Sequence, residues 1–266
     1  MYQFEFHTPS DIDQALQQLR RADDGRFLAG GMTLLPTFKQ RLAQPSDLID
    51  LSGIQSLAGI HESDGTLTIG AMTTHADVAS SPLVRQKIPA LAALAEQIGD
   101  PQVRNRGTLG GSVANNDPAA DYPAGVLALD ATLITDRREI AAQDFFLDMF
   151  ETALEDDELI TACRFDVPKR AGYAKFPNPA SRYAIVGVMA ADFGDQARVA
   201  VTGAAPCAYR MAEMEQALSN DFSACAIASI AVDAKGLNED IHATPEYRAH
   251  LVNVFAQRAV DAALLA

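Results

Sequence analysis

Tryptophan is missing from this chain of 266 residues, and cysteine occurs only three times. Cys163, Cys207 and Cys225 stand far apart with no Cys-x-x-Cys pair. They therefore supply no grouped ligands for an iron–sulfur cluster or a structural zinc, and no disulfide framework is expected. Each has apolar neighbours and is expected to be buried and inert. Basic residues are scarce as well, 21 Lys and Arg against 35 Asp and Glu, for a net charge of -14. That balance excludes a nucleic-acid surface, which needs clustered cations. One acidic stretch, Asp148, Glu151, Glu155, Asp156, Asp157 and Glu158, runs without a base and reads as a solvated segment. No apolar run approaches the roughly 20 residues of a membrane span. Met1–Asp11 has neither a cationic start nor a long apolar core, so no signal peptide is read there. A soluble cytoplasmic protein without membrane insertion is expected.

Several catalytic signatures are absent too. No Gly-x-Gly opens a dinucleotide fingerprint, no Gly-Lys marks a phosphate loop, and the five histidines form no zinc-protease pattern. There is no Gly-x-Ser-x-Gly nucleophile setting. What is present is a large apolar fraction, 48%, enough to bury a substantial core and to exclude disorder.

Read along the chain, Ile12, Ala15, Leu16 and Leu19 repeat at helical spacing after Ser10, which is placed to cap the helix. Phe27–Ala29 is a short buried strand running into Gly30-Gly31. Leu34–Leu42 reads as helix and Asp47–Leu51 as strand. Ile54–Gly70 reads as a hairpin, Pro89–Ile98 as an Ala/Leu helix, and Gly107–Ser112 as a glycine-rich loop. Pro123–Leu129 reads as helix, Thr132–Ala142 as a second hairpin, and Leu159–Val167 as a strand stopping at Pro168. Beyond a boundary near 168–172, Ala184–Phe193 and Arg198–Ala204 form a hairpin. Helices over Tyr209–Leu218, Ser223–Ala234 and from Thr244 onward follow. Strands and helices do not alternate regularly, so the fold class is α+β.

Two glycine pairs draw attention, Ala29-Gly30-Gly31-Met32-Thr33 and Thr108-Leu109-Gly110-Gly111-Ser112. Each offers small residues, backbone N–H groups and a nearby hydroxyl, a nest that a phosphate can approach closely. Either pair alone reads equally well as a simple turn; two on different elements suit the two phosphates of a dinucleotide. Arg104 and Arg106 flank the second pair, either to screen that charge or to sit in solvent. His75 is read as structural.

The surrounding residues decide. Ile98-Gly99-Asp100-Pro101-Gln102-Val103-Arg104-Asn105-Arg106-Gly107 leads into the second pair, and Val113-Ala114-Asn115-Asn116-Asp117-Pro118-Ala119-Ala120-Asp121-Tyr122-Pro123 follows it. With 29–35, 70–76, 175–183 and 240–248, these blocks resemble the FAD-binding (medium) subunit of the xanthine dehydrogenase and carbon monoxide dehydrogenase family of molybdenum hydroxylases, over nearly the whole chain. The resemblance implies a two-subdomain FAD-binding fold of the xanthine dehydrogenase/vanillyl-alcohol oxidase type (1–168, split near 53), and a C-terminal domain (169–266) with a three-stranded sheet and helix bundle. It implies that both glycine pairs hold the pyrophosphate, with Asn115 and Asp121 in the adenosine-side network. Ile98 and Ile160 would line the cofactor, Lys175 would approach the flavin, and Tyr183 would pack near its ring. Members of the wider fold class that link flavin covalently do so through a His or Cys beside the first pair. Met32 stands there instead, where a polar residue is the family's habit, so FAD is expected to be non-covalent.

The same resemblance implies partners: a large subunit with molybdopterin and a small subunit with [2Fe-2S] clusters, assembled as a dimer of heterotrimers. FAD would take single electrons from the clusters and release them in pairs to an external acceptor. Two other readings stay open at this point, a stand-alone flavin reductase or oxidase on the same scaffold, and a scaffold that has lost its flavin.

Overall fold

The computed structural model describes residues 1–265; Ala266, the last residue of the expected C-terminal domain, lies outside the described residues. Near the N-terminus, strands β1 (Glu5–His7), β2 (Gly25–Leu28) and β3 (Asp47–Asp50) form a parallel sheet in the order β1-β3-β2. Two helices, α1 (Ile12–Arg21) and α2 (Leu34–Lys39), make its crossovers. Asp11, rather than Ser10, caps α1: its carboxylate accepts the Gln14 N–H at 2.8 Å, and as an anion it also suits the positive end of the helix. Ala15, Leu16 and Leu19 are buried, as their spacing requires.

The middle of the chain builds an antiparallel five-stranded sheet, ordered β4-β5-β10-β6-β7, from β4 (Ile60–Ser63), β5 (Thr66–Gly70), β6 (Thr132–Thr135), β7 (Glu139–Ala141) and β10 (Ile160–Asp166). Between β5 and β6 lie α3 (His75–Ser80), α4 (Pro82–Lys87), α5 (Pro89–Glu96), α6 (Pro101–Arg104), α7 (Leu109–Asn115) and α8 (Tyr122–Ala128). A separate two-stranded hairpin, β8 (Phe146–Asp148) with β9 (Glu151–Thr152), projects beside them. Every residue of α8 is buried, which explains a helix apolar on all sides.

The last part holds β11 (Arg170–Pro177), β12 (Ala184–Asp192), β13 (Ala197–Thr202) and β14 (Tyr209–Arg210) in an antiparallel meander, followed by α9 (Ala212–Asn220), α10 (Ala224–Ile227) and α11 (Pro245–Leu265). Three expectations change here. The three-stranded sheet has a fourth, two-residue strand, because Tyr209–Arg210 pairs with Ala200–Val201 instead of starting a helix. The helix read over Ser223–Ala234 is confined to Ala224–Ile227, where Ser223 caps it and only Ile227 is buried. Cys225 is exposed and Cys207 half-buried; only Cys163 is buried.

Strand β12 explains why its sequence is a continuous apolar run. Val186, Val188 and Ala190 enter the core under α11, while Met189 and Ala191 enter the core shared with Leu91, Leu94 and Val126. With both faces covered, no polar alternation remains. The larger core consequently crosses Pro168, taking in Ala171 and Tyr173 along with the middle sheet. Helix α11 meets the sheet at Gly172, where an added Cβ would lie 2.1 Å from the Ala259 carbonyl oxygen and 2.5 Å from the Ala263 nitrogen. Gly172→Ala is expected to cost about 1–3 kcal/mol or more, because helix backbone cannot rotate away as a side chain can. Thermal unfolding of the variant should show a lowered Tm.

Candidate cofactor site

Where the parallel sheet, the middle helices and the β11–β12 turn converge lies a cavity of about 480 Å³, within the range of small-molecule sites. Ends of strands and helices supply its walls: the turn after β2, the start of α7 and the turn leading to α8, the beginning of β10, and Ser181–Tyr183.

The first glycine pair packs against the main chain just ahead of the second. A Cβ on Gly30 would lie 2.1 Å from the Arg106 carbonyl oxygen and 2.6 Å from the Gly107 Cα. One on Gly110 would lie 2.5 Å from the Ala71 Cβ, and one on Gly107 2.5 Å from the His75 Nε2. Gly31 has φ +73°, a conformation that favours glycine. These residues are therefore glycines first because main chains from different parts of the sequence touch there.

The N–H groups divide unequally. The stretch expected as a loop, Gly107–Ser112, is mostly the first turn of α7, capped by Thr108, whose hydroxyl accepts the Gly111 N–H at 3.2 Å. Leu109 N–H already donates to the Thr73 carbonyl at 3.0 Å and Gly110 N–H to the Ala71 carbonyl at 2.8 Å. By contrast, the N–H groups of Gly30, Gly31, Met32 and Thr33 donate to no acceptor among the described residues. The first pair thus carries the free donors and the second supplies the packed floor. A row of unpaired N–H groups, half-buried at Gly30 and Gly31 and exposed at Met32 and Thr33, leaves its donors free at the cavity wall, and an anionic diphosphate is a fitting acceptor.

At another wall the carboxyl of Asp121 accepts from the Tyr173 hydroxyl and pairs with the Lys175 ammonium at 2.8 Å. Lys175 also donates to the Gln97 and Arg182 carbonyls, each at 2.9 Å. All three ammonium protons are thereby engaged, and Lys175 reaches the cavity only through Asp121, which lines it. Complete burial pushes the Asp121 carboxyl up, and Lys175 and Tyr173 pull it back down. Apolar contact comes from Ile98 and Ile160, and Tyr183 lines the mouth. Burial raises the Tyr183 phenol, with Asp117 adding to the effect.

Ala29, Gly30, Gly31, Met32, Thr33, Ile98, Thr108, Gly110, Gly111, Ser112, Asn115, Asp121, Ile160 and Tyr183 all line this one cavity. Leu109 is fully buried in the core behind it and Lys175 stands behind Asp121. The structure adds His75, Asp117 and Glu158 to the lining. His75, read as structural, is held by its own N–H to the Gly107 carbonyl at 2.9 Å, yet its Nδ1 is buried without a partner. Burial lowers its pKa to about 4, so it is a neutral wall at pH 7. The Arg138 guanidinium holds Glu158 at about 2. Arg104 is neither in solvent nor aimed at the cavity: it donates to the Ile98 and Gly99 carbonyls. His75 and Asp117 lay within the blocks 70–76 and 113–123 that carry the resemblance; nothing local marked Glu158.

Donor-rich at one end, apolar and acceptor-bearing at the other, the cavity fits a dinucleotide with a diphosphate. Residues 2–169 match the family described as the FAD binding domain in molybdopterin dehydrogenase, and the chain belongs to it. It is an FAD-binding oxidoreductase subunit of the molybdenum hydroxylase type. Among its relatives, the medium chain of carbon monoxide dehydrogenase from Hydrogenophaga pseudoflava is 36% identical, over 98% of this chain and 96% of the relative. The nicotine 6-hydroxylase medium subunit of Paenarthrobacter nicotinovorans is 35% identical over 96% and 95%. Among solved structures, quinoline 2-oxidoreductase from Pseudomonas putida 86 superposes with a TM-score of 0.89 at 30% identity, covering 99% of this chain and 98% of that one.

Two outcomes follow. Gly30→Ala and Gly110→Ala should each lower thermal stability even without FAD, because the added methyl strikes backbone rather than ligand space; differential scanning fluorimetry of the flavin-free chain checks this. Asp121→Ala should destabilise the fold by about 3–5 kcal/mol by stranding the buried Lys175 ammonium, read as a shifted denaturant midpoint. A loss of flavin with an unchanged midpoint would contradict the structural role of that pair.

Proposed function

We propose that the chain binds one FAD non-covalently in this cavity and relays electrons from [2Fe-2S] clusters of a small partner subunit to an external acceptor. A large molybdopterin subunit would oxidise the substrate. The observation that carries this reading is the row of unpaired N–H groups at Gly30–Thr33, set against the glycine-packed start of α7. When bound, FAD supplies the chemistry that matches one-electron donors to a two-electron acceptor; the chain supplies binding, orientation and electrostatics.

The residues divide that work. Gly30–Thr33 donate to the diphosphate, and Thr108, Gly111 and Ser112 border it. Ile98 and Ile160 exclude water along the apolar part of the cofactor. Asp121, itself oriented by Lys175 and Tyr173, accepts from a cofactor donor, with Asn115 beside it. Tyr183 covers the mouth. Met32 offers no nucleophile for a covalent link to flavin. In domain terms, 1–53 and 54–168 clasp the cofactor and 169–266 closes the site through Tyr183, while its Lys175 and Tyr173 hold Asp121 in place.

The relatives named above as medium chains and subunits support a subunit rather than a stand-alone flavoenzyme. We extend this to a cytoplasmic dimer of heterotrimers with the large and small subunits. No helix among the described residues is long and apolar enough to cross a membrane.

Acid or heat should release intact FAD in a one-to-one ratio with the chain; flavin that stayed with the denatured polypeptide would refute non-covalent binding. In anaerobic stopped-flow, the chain co-expressed with its partners should lose oxidised-flavin absorbance rapidly on adding substrate. The chain alone should not. Fast, saturable reduction of the isolated chain would point to the stand-alone enzyme instead.

A further inference from the structure

The hairpin β8–β9 places three large apolar side chains in solvent within four residues: Leu147 is 54%, Met149 48% and Phe150 57% exposed. Contiguous exposure of this kind marks an interaction site more often than a casual surface residue does. The backbone is arranged to keep them there. Phe150 has φ +56°, a strained conformation for a bulky residue. Asn116, fully buried and left-handed at the end of α7 with φ 41°, clamps the tip from below. Its side-chain amide donates to the Asp148 and Glu151 carbonyls, each at 2.8 Å, and the Asn116 main-chain carbonyl accepts the Phe150 N–H at 3.2 Å. Asn115 and Asp117, on either side of that clamp, line the cofactor cavity, so the apolar tip is fastened directly to the cofactor site.

Charge says what kind of surface covers it. From Glu139 to Cys163 the sequence contains no Lys, Arg or His. At the base of this segment the acids are answered from elsewhere: Glu158 by Arg138, Asp157 by Arg20 and Arg137, Glu139 by Arg164. Around the tip they are not. Asp144, Asp148 and Glu151 are exposed and form no ion pair among the described residues. An apolar knob in an uncompensated acidic ring is complementary to an apolar socket rimmed with Lys and Arg.

We propose that this hairpin is the docking knob for the electron-delivering iron–sulfur subunit, which meets it with a cation-rimmed apolar socket. The choice among partner subunits rests on position: Asp117, next to the clamp, lies close enough to Tyr183 to raise its phenol, so a subunit seated on the tip borders the side of the cavity where Tyr183 is read as packing near the flavin ring. The inference rests on the multi-subunit reading above.

The test uses the co-expressed complex with an affinity tag on this chain. Met149→Ser combined with Phe150→Asn removes the apolar surface, and asparagine accepts the left-handed backbone. The small subunit should be lost on washing, its association weakened by about thirtyfold or more, as for a central interface anchor. FAD content of the pulled-down chain should stay unchanged. Asp148→Lys with Glu151→Lys should weaken the same association and reverse its salt dependence. Retention of the small subunit by both variants, or selective loss of the large subunit, would overturn the proposal. If the unaltered chain captures neither partner, the multi-subunit reading itself fails, a result distinguishable from failure of the hairpin alone.

Discussion

The site depends on one close approach, the main chain at Gly30 against the main chain at Arg106–Gly107. No Cβ fits there, and only that absence lets the turn after a strand of the first sheet lie on the turn that starts α7. The same device recurs at Gly110 on Ala71, and the missing Cβ of Gly107 leaves room for the His75 ring. With these contacts made, the Leu109 and Gly110 N–H groups are used by the carbonyls of Thr73 and Ala71, and those of Gly30–Thr33, which line the cavity, are left unpaired. Backbone packing therefore decides which donors remain for a ligand. Four free donors in a row, beside glycines that leave room for close approach, set this site apart from a simple turn.

A second constraint sits at the opposite wall. Lys175, Asp121 and Tyr173 form a buried network in which the ammonium is fully used. Its carbonyl partners belong to Gln97 at the end of α5 and Arg182 in the β11–β12 turn. One charge thus ties the middle helices, the cavity lining and the β11–β12 turn together. Buried pairs of this sort add little net stability but are costly to break, which suits a role in fixing one arrangement of the walls.

Much of this was legible before any coordinates. Apolar spacing located most helices and strands, and the two glycine pairs, with Asp121, Ile98, Ile160 and Tyr183, do share one cavity. What remained hidden has physical causes. The helix beginning at Leu109 contains two glycines, which local propensity reads as a loop; tertiary hydrogen bonds to Ala71 and Thr73 override it. Tyr209–Arg210 joins a sheet because Ala200–Val201 leaves an open edge, a fact of topology rather than of local sequence. Lys175 is aimed at Asp121, 54 positions away in sequence, and no spacing rule spans such a distance. The apolar run of β12 gave the strand but not its two distinct cores.

The claim that the first glycine pair binds while the second packs is open to a direct measurement: amide hydrogen exchange of the flavin-free chain with and without FAD. Without FAD, the amides of Gly30, Gly31, Met32 and Thr33 should exchange fast, and those of Leu109 and Gly110 should already be protected by their bonds to Thr73 and Ala71. Adding FAD should slow the first group markedly and leave the second nearly unchanged. Protection gained at 109–111 with none at 30–33 would contradict the account.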